Sequence, residues 1–268
     1  MSNNKNKLRL VITTGAILFL GLLTNRTASA GVIFHDQFGR TGNLAASTPA
    51  PTDTGGATWS VATQDSSDVP TTDGTAAVFP SISNTSSATA SLQFTVTSPA
   101  IYSLSTTIIP TANSNNTDWM AMGFGNTSGT VYINNSTTQA WILYREDGGT
   151  QYFYGGGTSH GGSGATAATT GTADTFTITL NTSTGAVNFS DTLGLISASG
   201  TLTPTQISGI NDIVIADYNT AGGDFQNVEL TGPVPEPSSL TLLGCAAAGL
   251  WLVGRKRCAK RRTMRADR

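Results

Sequence analysis

The chain has 268 residues, 38% hydrophobic and only 11% charged, with a formal net charge of −2. That total hides a segregation. Residues 31–231 carry 14 carboxylates against two basic residues, Arg40 and Arg145, a net of −12, and the other basic residues sit at the two ends. An acidic middle of this kind excludes an electrostatic footprint for DNA or RNA and is repelled by anionic lipid headgroups.

Residues 1–30 have the layout of a secretory signal peptide. Lys5, Lys7 and Arg9 form a positive start, Leu10 to Leu23 an apolar stretch, and Ala28-Ser29-Ala30 a small-x-small cleavage site. Signal peptidase is therefore an expected partner, Ala28 and Ala30 mark its site, and the mature chain is expected to begin at Gly31.

Residues 31–231 are long enough to bury the core of one domain. Both cysteines, Cys245 and Cys258, lie in the C-terminal tail, so this domain holds itself together without a disulfide. Its histidines, His35 and His160, are far apart in sequence and give no zinc pattern. The composition is Thr-, Ser-, Gly- and Asn-rich, and Thr and Val favour strands. Short strands are predicted at 31–38, 58–62, 75–79, 88–96, 101–109, 120–124, 131–133, 140–144, 151–154, 175–180, 186–190, 213–217 and 224–230. Turn clusters such as Asp73-Gly74, Asp147-Gly148-Gly149 and Gly155-Gly156-Gly157 separate many of them. In Thr175–Leu180, Phe176, Ile178 and Leu180 share one face and the threonines the other, a buried side against a solvated one. No helical crossover is indicated, so a parallel α/β fold is excluded and an all-β antiparallel β-sandwich is expected.

Local motifs add to this. Phe34-His35-Asp36-Gln37-Phe38-Gly39-Arg40 with a later Gly55-Gly56-x-x-Trp59, then Asp118-Trp119-Met120-Ala121-Met122-Gly123-Phe124-Gly125, then Trp141–Arg145 with Asp147-Gly148, and finally Gly223–Leu230, together resemble the laminin-G/concanavalin A-like jelly rolls of surface proteins. The resemblance implies a jelly-roll sandwich whose last strand pairs beside its first.

Glucanases of that superfamily set paired carboxylates on one strand so that both flank a glycosidic bond, ~5–5.5 Å apart in retaining enzymes. No Glu-x-Asp-x-x-Glu is present. Glu146 and Glu229 are the only glutamates between 31 and 231, and Glu146-Asp147 reads as a solvated hairpin tip. Asp212 and Asp217 point to opposite sides of one strand. No Ser/His/Asp set can be assembled, so the chain is read as non-catalytic, with no cofactor. Glycan binding is the alternative function, ahead of a divergent glycan hydrolase, which would need two carboxylates facing one cleft; binding needs an exposed aromatic platform. Tyr144, Tyr152 and Tyr154, on one predicted hairpin, are the candidates, whereas Trp119 and Trp141 are expected in the core. Calcium could be held by an acidic sandwich through carboxylates and loop carbonyls, and Asp65, Asp68 and Asp73, or Asp217 and Asp224, are where it would sit.

The C-terminal end has three parts. Val234-Pro235-Glu236-Pro237-Ser238-Ser239 is a rigid, extended segment, because proline fixes φ and donates no hydrogen bond. The 15 residues from Leu240 to Gly254 carry no charge; with the two preceding serines they approach the ~17-residue lower limit for a bilayer span. Eight basic residues follow, beginning with the stop signal Arg255, Lys256 and Arg257, and the positive-inside rule keeps them cytoplasmic. This order resembles the PEP-CTERM sorting signal of Gram-negative bacteria. The resemblance implies a transmembrane helix over 238–254, a basic tail over 255–268, and processing near Pro235–Pro237 by exosortase, a membrane protease. The expected product is an exported cell-surface or extracellular-matrix protein associated with polysaccharide: signal peptide 1–30, sandwich 31–231, sorting signal 232–268.

Overall fold

The computed structural model describes residues 30–233, apart from 54–55, 82–85, 112–115, 128, 158 and 165–170. Ala28, the signal segment, the sorting motif Val234–Ser238, the apolar run and Arg255, Lys256 and Arg257 lie outside the described residues. The described strands are β1 (Ala30–Asp36), β2 (Thr41–Asn43), β3 (Pro51–Asp53), β4 (Ser60–Thr63), β5 (Thr71–Asp73), β6 (Ala77–Phe79), β7 (Ala88–Gln93), β8 (Ile101–Pro110), β9 (Trp119–Gly125), β10 (Thr138–Arg145), β11 (Thr150–Tyr154), β12 (Asp174–Asn181), β13 (Ala186–Asp191), β14 (Ser197–Thr201), β15 (Asp212–Tyr218) and β16 (Gly223–Pro233). A single helical turn, α1 (Pro204–Ser208), opens on a reciprocal cap between Thr203 and Gln206.

The strands form an all-β sandwich of two antiparallel sheets. One has ten strands, in the order β14-β13-β12-β8-β16-β6-β5-β2, with β1 added on β16 and β3 on β1. The other has six, in the order β11-β10-β9-β15-β7-β4. β16 is the hub of the larger sheet. One edge pairs with β8; the other pairs with β6 through Gly223–Phe225 and then with β1 through Val228–Pro233. The register shifts between Gln226 and Glu229, where Asn227 takes a φ of 52°. Such a bulge lets one strand change partners along an edge.

Period-two sequence patterns place the core between the sheets. Leu104 and Ile108 from β8, and Phe176, Ile178 and Leu180 from β12, meet Met120, Met122 and Phe124 from β9 and Ile142 from β10. On the far side of the larger sheet, hydroxyls line up instead, as in the 2.7 Å pair between Thr107 and Thr175. The opening motif is a structural clasp. Asp36 is fully buried and accepts both guanidinium nitrogens of Arg40 (2.7 and 2.8 Å), the Trp59 indole N–H (2.7 Å) and the Phe38 amide (2.9 Å). One of the two basic residues in this body thus serves its architecture.

Two expectations fail here. Residues 131–133 do not form a strand: Ile133 turns inward over the outer face of the smaller sheet and is buried, while Tyr132 stays 43% exposed. The loop has hydrogen-bonding needs of its own that a strand would not meet. Thr130 bonds back to the Thr127 carbonyl, and the Thr89 hydroxyl reaches the Thr130 carbonyl. Glu146 is no solvated tip. It is 1% exposed, and its carboxylate accepts the Gly222 amide at 3.3 Å.

Candidate functional site

The six-stranded sheet differs from its partner in having a second apolar face. In β9, Met120, Met122 and Phe124 point into the core, and Trp119 and Ala121 point outward. The outer layer comprises Trp119, Ala121, Trp141, Leu143, Phe153, Val214 and Ala216, closed over by Ile133. Trp141 stacks on Phe153 with ring centres 3.8 Å apart and 6° between planes. Its indole N–H donates to Asn135 at 3.1 Å, and Asp212 holds the start of the covering loop through the Thr127 amide at 2.7 Å.

This layer emerges at one end of the sheet. Arg145, Trp119 and Tyr218 are register partners across β10, β9 and β15, and so share the outer face. Tyr218 lies flat on Trp119, ring centres 4.8 Å apart at 8°. Trp119 is only 9% exposed beneath it, whereas Tyr218 is 37% exposed. Tyr132 closes the far side edge-on at 6.2 Å.

Beside this aromatic pair lies a cleft of about 750 Å³, whose polar lining includes Asn116, Thr117, Arg145, Asp147, Gln151 and His160. Arg145 spans it, donating to Gln151 at 2.6 Å and to the Asn116 carbonyl. The far wall, residues 160–163, runs against β11, with Thr150 N–H donating to the Ser163 carbonyl at 3.1 Å. Gly162 is required there, because a Cβ would fall 1.8 Å from the Thr150 carbonyl oxygen.

Buried carboxylates brace the loops. Asp118 is fully buried and accepts the Thr117 hydroxyl at 3.0 Å, the Asn219 amide and the Thr220 hydroxyl. With Glu146 on Gly222, it fixes the loop after β15 to the loops before β9 and after β10. Both groups act as acceptors for neighbouring loops.

The predicted aromatic platform does share one face, but that face points inward. Tyr144 is fully buried and donates to the Thr172 carbonyl at 3.0 Å; burial, then the nearby charges of Asp174 and Asp191, push its hydroxyl up to about 12. Tyr152 and Tyr154 are half-buried at the edge of the core, against Phe189 of the opposite sheet. Tyr154 covers Gly200, where any Cβ would clash with its ring at 2.5 Å, and His160 stacks on it at 3.8 Å. Among the described residues the exposed aromatics are instead Tyr218 and Tyr132. Their signal was legible in β9, whose apolar residues on both faces demand a cover on each side.

The acidic candidates separate. Asp65 and Asp73 wrap their own turns, and the amides of Ser67 and Thr75 hold their carboxyls below the usual range. Asp224 lies near Asp73 and is raised, chiefly by burial. Asp68 and Asp217 come together, both buried. No group of three or more His, Cys, Asp or Glu gathers among the described residues. Gly157-x-Ser159-x-Gly161 spells the pattern of a nucleophile elbow. No helix starts at it among the described residues, and the Ser159 hydroxyl turns back to the Gly161 carbonyl at 3.3 Å. Ala30 opens β1 opposite Pro233. Among the described residues no helix is long and apolar enough to cross a membrane.

No family model and no curated protein matches the chain. Among solved structures it is similar to the potassium-bound carbohydrate recognition domain of Emp46p, at 10% identity, a TM-score of 0.49, and coverage of 72% of this chain and 96% of that one. It is also similar to arcelin-5, a lectin-like defence protein from Phaseolus vulgaris, at 10% identity, a TM-score of 0.48, and coverage of 76% and 99%. The exoplasmic/lumenal domain of VIP36 in its Ca2+/Man3GlcNAc-bound form follows at 9% identity, a TM-score of 0.46, and coverage of 68% and 88%. At such identities the likeness is one of fold.

Proposed function

We propose that residues 31–231 form the glycan-binding module of an exported, non-catalytic surface or matrix protein. One observation carries this reading: the exposed ring of Tyr218, laid flat on Trp119, in register with Arg145 and beside a polar cleft. A sugar offers an apolar C–H face that packs on an aromatic ring, and hydroxyls that pair with amides, carboxylates and guanidinium groups. Tyr218 and Tyr132 supply the first requirement; Asn116, Asp147 and Gln151 with Arg145 supply the second. A body of net charge −12 disfavours polyanions, which points to neutral or sparsely charged polysaccharide.

The test is affinity electrophoresis of the purified protein through gels containing neutral or acidic polysaccharides. The wild type is expected to be retarded by at least one neutral polymer. Tyr218→Ala should weaken that binding by about tenfold or more while the melting temperature holds, since about 1.4 kcal/mol of contact is a factor of ten. If no polymer retards the wild type, the glycan reading fails.

The ends of the chain support the export half. In this reading signal peptidase removes residues 1–30, the apolar run 238–254 holds the chain in the inner membrane, and exosortase cuts near Pro235–Pro237 to pass the body outward. Terminal sequencing of the protein fractionated from its host should find a start at Gly31 and an end near residues 235–237. An intact basic tail in the inner membrane would refute the processing step.

A further inference from the structure

We infer that Asp68, Asp217 and Ser86 form a binding site for a hard divalent cation of the calcium class. The three side chains come from separate parts of the chain: the loop after β4, the end of β15 and the residues just ahead of β7. Their exposures are 0%, 1% and 1%. The two carboxylates face each other, and the Ser86 hydroxyl faces Asp68. The fold gives this group little help. One Asp217 oxygen accepts the Ala88 amide at 2.6 Å. Both Asp68 oxygens, the second Asp217 oxygen and the Ser86 hydroxyl are buried without a hydrogen bond.

Four unpartnered oxygens converging at one point demand a ligand, because a buried polar group without a partner costs roughly 1–3 kcal/mol and a charged one more. The basic side chains among the described residues are engaged elsewhere. Arg40 is on Asp36, Arg145 crosses the cleft, His35 lies beside Glu229, and His160 stacks on Tyr154. A proton shared between the carboxylates, with the Ser86 hydroxyl turned to Asp68, is the competing arrangement, and it requires one buried carboxyl to stay neutral. A divalent cation serves all four oxygens and neutralises both charges. An all-oxygen donor set selects a hard ion, and donors drawn from a loop and two strand ends suit the loose geometry of calcium better than the strict octahedron of magnesium.

The same molecule shows the alternative solution. In the pair Asp174–Asp191, Asp174 accepts the Thr192 amide and hydroxyl and the Leu193 amide, and Asp191 accepts the Leu195 and Ile196 amides. At Asp174 and Asp191 four backbone amides and a hydroxyl surround the carboxylates; at Asp68 and Asp217 the Ala88 amide and the facing Ser86 hydroxyl are the donors at hand. The cation site stands independently of any glycan.

The experiment strips the purified protein with a chelator and titrates CaCl2 or MgCl2, following heat by calorimetry and unfolding by temperature. One calcium ion per chain is expected, with a melting shift of roughly 5–10 °C once free calcium exceeds its dissociation constant about a hundredfold. Asp68→Asn and Asp217→Asn should abolish the response, and Ser86→Ala should weaken it about tenfold while leaving a folded chain. Asp73→Asn, an exposed carboxylate outside the group, should leave it intact. The inference is overturned if neither ion changes the melt, or if Asp73→Asn removes the response. It is also overturned if Asp68→Asn melts higher than the stripped wild type and the wild type ignores calcium, the signature of a shared proton.

Discussion

The two sheets of this sandwich are built to different plans. In the larger one β8 and β12 alternate buried and more exposed positions, with mostly apolar residues inward and mostly threonines or serines outward, so that a single buried face suffices. In the smaller one β9 is buried along its whole length, and β10 and β15 nearly so. The larger sheet is what a stable sandwich requires. The smaller carries an additional aromatic layer, covered by Ile133 and, among the described residues, surfacing at Tyr218 and Tyr132. An apolar second face costs solubility unless it is covered or used, and here most is covered while the end beside the cleft is left open.

Substitutions on the outward faces test this difference most directly. Trp141→Ala, on the smaller sheet, should cost about 3–5 kcal/mol, because it removes a stacked, buried ring and leaves a cavity under the loop; chemical denaturation would measure it. A cost near zero would mean that the layer is ornament.

The next effect belongs to the larger sheet and depends on pH. Burial, foremost, holds the Asp174 carboxyl up at about 6, so the folded chain keeps a proton that the unfolded chain has already lost. Its contribution therefore falls as pH rises from about 4 to about 6, by at most roughly 3 kcal/mol, and is flat above that. Urea midpoints across this range should fall less steeply for Asp174→Asn than for wild type. Parallel curves would remove Asp174 from the account.

The smallest effect is expected at Thr177, on the solvated face of β12. Thr177→Ala should cost about 1 kcal/mol or less, the price of strand propensity alone. If it matched Trp141→Ala, the contrast between the sheets would collapse.

How far the sequence could be read follows the same division. Phe176, Ile178 and Leu180 announced their face because polar residues stood between them, so β12 was legible to within a residue. In Trp119–Gly125 no polar residue breaks the run, and periodicity alone gives a strand without saying which side meets the core. That ambiguity turned Tyr144, Tyr152 and Tyr154 into a surface platform on paper when they face inward. It also left Tyr218, one residue past the buried part of β15, unnoticed. Val131-Tyr132-Ile133 has strand composition but packs as a lid, an outcome set by the Trp141–Phe153 layer beneath it and not by its own residues. The meeting of Asp68 with Asp217 was out of reach, since nothing local links a loop after β4 to the end of β15. The clasp of Asp36, Arg40 and Trp59 was visible as a motif, but only the fold shows that its work is structural.

The length of β16 has a mechanical consequence. The strand begins at Gly223, beside the loop that Asp118 and Glu146 hold at the cleft end, and finishes at Pro233, where the described chain stops. At about 3.3 Å per residue its eleven residues set the two ends roughly 33 Å apart. A pull between a polymer gripped at Tyr218 and an attachment at Pro233 would therefore run along this strand. It would load the hydrogen bonds to β8 and β1 in shear, many at once, and would not peel them one by one.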